Sequence, residues 1–149
     1  MSNKNGKLSV IQFIKIICDT LEIGIPKIYK VERLSTPTTL AEYDKKNDIL
    51  FYIDLGNLDI YFTIAHELRH KWQTKYHSDW FENYNSSKKL SLIEYNMQQV
   101  ELDANGFAVV VCADLLRLKP TFDGVDERIV NAIYDMADKI AKEMRNYNG

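Results

Sequence analysis

The chain has only two cysteines among its 149 residues, Cys18 and Cys112, and they lie far apart. Two are too few for a disulfide framework, and no C-x-x-C is present to hold a redox pair or a metal. Both sit among apolar residues, which predicts buried free thiols. An excess of charge of one sign is missing as well. Nineteen basic residues face 21 acidic ones, for a net charge of −2. No large positive field exists to attract nucleic acid or an anionic membrane. Long apolar runs are absent. The most apolar stretch, "FAVVVCADLL", is too short to span a bilayer and contains Asp114. The first residues, "MSNKNGKLSV", lack the apolar stretch and small-residue cleavage site of a signal peptide. No repeat or linker divides the chain. These absences predict one domain over residues 1–149, in a reducing, cytoplasmic setting, with no membrane and no direct nucleic-acid partner.

What is present suits a packed domain. Hydrophobic residues make up 46% and charged residues 27%, which argues against disorder. Val10, Phe13, Ile14, Ile17 and Leu21 recur at helical spacing, with Ser9 as a cap and Gly24 and Pro26 as terminators. Strands are expected at 27–34, 38–43 and 48–55, the last two forming a hairpin across "DKKN". Asp59 is the expected N-cap of a helix over about 60–76. Ser91 and Glu94 have capping-box spacing and predict a helix running to about Leu118, stopped at Lys119-Pro120. A last amphipathic helix is expected over about 124–146. The order is helix, small antiparallel-containing sheet, then three helices, an α+β class.

The chemistry concentrates in "YFTIAHELRHKWQTKY", residues 61–76. His66-Glu67-Leu68-Arg69-His70 is an H-E-x-x-H pattern. Residues four apart share a helix face, so both imidazoles can reach one ion. Imidazole nitrogen suits zinc. Glu67 is rotated about 100° from His66, so it can flank an ion without binding it. There it can take the proton from a water attacking a carbonyl. Tyr61, Ile64, Leu68 and Trp72 can anchor the helix. Arg69 and Lys71 are expected on a solvated face, and Trp72 and Trp80 in packing. The same five residues also suit a polar helix surface without metal, and a third ligand decides between the two.

"VELDANGFA", residues 100–108, offers that ligand. Glu101 and Asn105 share a face, so one can bind metal while the other supports a histidine. Asp103 is the rival, but it lies about 200° around the helix from Glu101, so both cannot face the ion. Ala104 and Ala108 are small enough to let two helices approach closely. Tyr76, His77, Tyr84 and Tyr95 are hydrogen-bond donors that could face a reacting carbonyl, though each has a plainer reading, and none is assigned that role.

"HELRH" followed by "ELDANGFA" resembles the glutamate-type zincins, most closely the ImmA/IrrE family of small metallopeptidases. That family pairs H-E-x-x-H with a downstream E-x-[ED]-A-[ND]-x-F-A segment, and the resemblance covers roughly residues 45–118. It implies a zincin-like fold. It implies His66, His70 and Glu101 as Zn2+ ligands, Glu67 as general base, and Asn105 and Asp103 as residues behind the ligands. It also implies a zinc endopeptidase whose substrate is another protein, in several family members a helix-turn-helix transcriptional repressor. Family members often carry Gly where Arg69 stands and a "LLMP"-like tail where this chain reads "VVVCADLL". In zincins an edge strand lines the cleft, and "DILFYIDL" is the expected one. The alternative is a non-catalytic zinc-binding sensor or protein-interaction module on the same fold.

Overall fold

The computed structural model describes residues 8–87 and 89–148. Most of the N-terminal stretch without signal-peptide features, residues 1–7, lies outside the described residues. Among the described residues, five helices and a three-stranded mixed sheet form an α+β arrangement. No described helix is long and apolar enough to cross a membrane.

Helix α1 spans Val10–Leu21. The Ser9 side chain accepts from the Gln12 amide, and the Gln12 side chain accepts from the Ser9 amide, so two otherwise orphaned donors are satisfied. The helix ends at Glu22, whose φ of 54° is left-handed. Phe13, Ile14 and Ile17 are fully buried, each worth roughly 1.5–3 kcal/mol of burial.

The strands are β1 Lys27–Lys30, β2 Ala41–Asp44 and β3 Ile49–Tyr52, in the order β1-β3-β2. The expected hairpin is present. Its turn is shaped by Asp44, which accepts from the Asn47 amide and side chain, and by Asp48 at a φ of 55°. Strand β3 also pairs with β1, in parallel, so it is the central strand. "DILFYIDL" is therefore not an edge. Its alternating burial reflects side chains directed in turn to the open and the packed face of the sheet, and the edge beside the next helix is β2.

Helix α2 spans Asp59–Tyr76. Asp59 is its first residue rather than its cap. Leu58 occupies the cap without a side-chain bond, and Asn57 Oδ1 accepts from the Asp59 amide instead. Ile60, Tyr61, Ile64, Ala65 and Leu68 are buried against α1 and the sheet. The connection that follows carries a 3-10 turn, Ser78–Phe81.

The long helix expected from Ser91 to Leu118 is two helices, α3 Leu92–Asn96 and α4 Gln99–Leu116. The Ser91–Glu94 capping box forms as expected. The break falls at Gln98, which is extended. Its side chain clamps the passing loop, accepting from the Asn85 amide and donating to the Asn85 carbonyl. Helix α4 lies between α2 and α5, Glu127–Asn148. Ala104 and Ala108 are fully buried, as close approach requires. On the other side Val109 meets Ile129, Ile133 and Ala137 of α5.

Candidate metal centre

Helix α2 brings His66 and His70 onto one face, one turn apart, with their Nε2 atoms 3.0 Å from each other. Helix α4 brings Glu101 to the same point. Its Oε1 lies 3.2 Å from His66 Nε2 and its Oε2 lies 3.5 Å from His70 Nε2. Four-coordinate zinc, with bonds of about 2.0–2.1 Å to nitrogen or oxygen, separates neighbouring donor atoms by about 3.3 Å. The three distances bracket that value. Two histidines and a carboxylate converging this tightly can hold a metal ion.

The far side of each imidazole supports this use. His66 Nδ1 donates to Asn105 Oδ1 at 2.7 Å, and His70 Nδ1 donates to Gln73 Oε1 at 2.8 Å. With the hydrogen at Nδ1, the lone pair of each neutral ring sits on Nε2, toward the other donors. Asn105 thus stands behind a histidine, as expected. Gln73 was not expected from the sequence. Its signal was available, since it follows His70 by one helical turn on the same face.

Glu101 is almost completely buried. Burial opposes its ionisation, but hydrogen bonds from His66 and His70 outweigh this and hold its carboxyl well below the usual range. Burial likewise opposes a charge on His70, yet Glu101 and then Glu67 hold it above the ordinary imidazole value. Without a metal the site thus favours a proton on His70. Tyr84 donates to Glu101 Oε2 at 2.6 Å, and the Tyr95 hydroxyl lies 3.1 Å from that of Tyr84. Tyr84 has one hydrogen and gives it to the carboxylate, and the Tyr95 hydroxyl stands beside both. Burial and then Glu101 push Tyr84 far above the ordinary phenol value. These two of the four singled-out donors reach the site. The Tyr76 hydroxyl donates to the Glu22 carbonyl at 2.7 Å, and His77 stacks on Trp80 with ring centres 4.3 Å apart.

Glu67 is half-buried. Burial lifts its carboxyl above the usual value against the pull of His66 and His70, with Glu101 and Glu42 adding to the rise. A carboxylate raised toward neutrality is a better proton acceptor.

Two expectations are corrected. Arg69 is not on a solvated face. It is 6% exposed and forms a bidentate pair with Asp103, Nε to Oδ2 at 2.7 Å and Nη2 to Oδ1 at 3.0 Å. A buried cation persists because it is paired and its plane stacks on the Trp72 ring, 3.6 Å from the centroid. Lys71 is only partly exposed, since it pairs with Asp48 at 2.8 Å and donates to the Gly24 carbonyl. Asp103 accordingly faces Arg69 and not the ligand cluster. Both cysteines are buried and free.

No protein-family model, curated protein or solved structure matches the chain. The family resemblance therefore rests on the motif residues alone.

Proposed function

We propose that this chain is a zinc-dependent endopeptidase of zincin-like architecture that hydrolyses a peptide bond of a protein partner in the cytoplasm. The observation that carries the reading is the convergence of His66, His70 and Glu101, with an amide oxygen behind each ring. The donor set suits zinc, and three protein ligands leave a fourth position open, as catalytic sites require. When bound, zinc supplies a Lewis acid that polarises the scissile carbonyl and acidifies water. Glu67 accepts the proton of the attacking water and delivers it to the leaving amine nitrogen. His66, His70 and Glu101 would hold the ion, and Tyr84 keeps Glu101 oriented.

The substrate segment is proposed to lie along β2. The Ile53 amide donates to the Leu40 carbonyl at 2.9 Å. Hydrogen-bonded pairs alternate along an antiparallel ladder, so Glu42 and Asp44 bond inward to β3. Tyr43, partly exposed, turns its N–H and C=O groups to the outer side, where an extended peptide can add a strand. A helix-turn-helix repressor as the partner follows from the family resemblance.

The test begins with zinc per chain, measured on protein purified without a histidine tag. About one zinc is expected for a single site. Cleavage of a partner protein by wild type should fall about 10²–10⁴-fold in Glu67→Gln, with zinc retained. No zinc after reconstitution ends the enzyme reading. Zinc with equal inactivity in both proteins ends the protease reading and leaves a binding module.

A further inference from the structure

We propose that Arg69 is a positioning residue for His70, acting through Asp103 and Gln73 to keep a hydrogen-bond acceptor against His70 Nδ1. Arg69 has donors only and keeps its charge at any accessible pH. Asp103 must therefore accept from it at both oxygens. Asp103 Oδ2 also accepts from Gln73 Nε2 at 2.8 Å, and the same Nε2 donates to the Val100 carbonyl at 3.0 Å. Both amide hydrogens of Gln73 are then committed. The amide cannot turn over, because its oxygen would then face a carboxylate and a carbonyl, three acceptors together. Oε1 is the atom left for His70, and it meets Nδ1 at 2.8 Å. His70 Nδ1 must carry the hydrogen, which leaves Nε2 for the ligand cluster.

The chain of bonds is fixed at its far end. Arg69 is held between the Trp72 and Phe107 rings, 3.6 and 4.7 Å from their centroids, so it cannot swing out to water. Gln73 is fully buried and Asp103 is 4% exposed. Behind its ring, His66 Nδ1 is held by Asn105 alone among the described residues. The two histidines are thus oriented by different means, and the one nearer the C-terminus of α2 depends on a buried cation.

This inference rests on the metal reading of the site, and the experiment separates the two. Zinc affinity is measured by competition with a chelating dye for wild type, Arg69→Met, Gln73→Met and the double variant. In parallel, exchange of the His70 Hδ1 resonance is followed by NMR in the metal-free protein. Gln73→Met leaves the Arg69–Asp103 pair intact, so it tests the link even if Arg69→Met folds poorly. Each single variant should weaken zinc about 10–100-fold. Arg69→Met should add little in the Gln73→Met background, because the link is already cut. Hδ1 should be slow to exchange in wild type and fast in both variants. Equal losses from Arg69→Met in both backgrounds would assign Arg69 a merely structural role and overturn the proposal. So would wild-type affinity in Gln73→Met, or Hδ1 protection that survives there. If wild type binds no zinc, the metal reading falls, and Hδ1 exchange alone decides the link.

Discussion

Gly106→Ala sets two effects of known size against each other on the helix that carries Glu101 and Asn105. Gly106 lies inside α4, where alanine is favoured over glycine by about 1 kcal/mol. Propensity alone therefore predicts a more stable protein. The packing predicts the opposite. An added Cβ would lie 2.8 Å from Met136 Cγ and 3.1 Å from both Met136 Cβ and the Ala137 backbone nitrogen. The methionine end can swing aside. The Ala137 nitrogen cannot move without α5 moving. Overpacking of this kind costs about 1–3 kcal/mol. The expected net effect is destabilisation of about 1 kcal/mol, a fall in melting temperature of about 2–4 °C for a chain of this size. Thermal melts of the metal-free protein measure it, beside Met136→Ala and the double variant. Met136→Ala should not rescue Gly106→Ala fully, because the backbone contact remains. A melting temperature that rises in Gly106→Ala would refute the reasoning and show that α4 and α5 separate easily.

The ligand assignment has its own contrast. Alanine at His66, His70 or Glu101 should abolish tight zinc binding in dialysis against a metal buffer. Asp103→Ala should weaken zinc less, and instead lower stability in urea by about 3–5 kcal/mol, because it strands the Arg69 charge. The raised pKa of His70 gives a pH signature of definite sign. Its contribution to metal-free stability is full below the ordinary value of 6.5 and is lost as pH rises through the folded value. Zinc must displace that proton, so the stabilisation given by zinc should grow over the same interval. Melts with zinc and with chelator at several pH values show both slopes. Burial pushes Cys18 to about 11 and Cys112 to about 12. Neither should react with an alkylating reagent at about pH 8 until the chain is denatured, as mass spectrometry would show.

The local features were legible because they depend on short spacing. The Ser9 cap, the Ser91–Glu94 box and the shared face of His66 and His70 each lie within about one helical turn, and all form as the sequence predicts. The place of Glu101 in the cluster with His66 and His70 was legible through a motif. What escaped depends on partners distant in sequence. Arg69 looks solvated until Asp103, 34 residues away, is placed against it. Strand β3 looks like an edge because its hairpin partner is adjacent, while its second neighbour, β1, pairs across an intervening strand. The break at Gln98 follows from a clamp on Asn85, which no helical periodicity encodes.

Helix α2 has an uncommon consequence for substitution. Ala65 and Leu68 are core, and His66 and His70 face the cluster with Glu67 beside them. Arg69 and Gln73 enter the buried network, Lys71 ties the helix to Asp48, and Trp72 covers the guanidinium. Nine successive residues, 65–73, are committed around the whole circumference. An ordinary amphipathic helix tolerates change on its wet side every third or fourth position. This stretch has no such side, so tolerance to mutation along it should lose the helical rhythm and appear as one unbroken block.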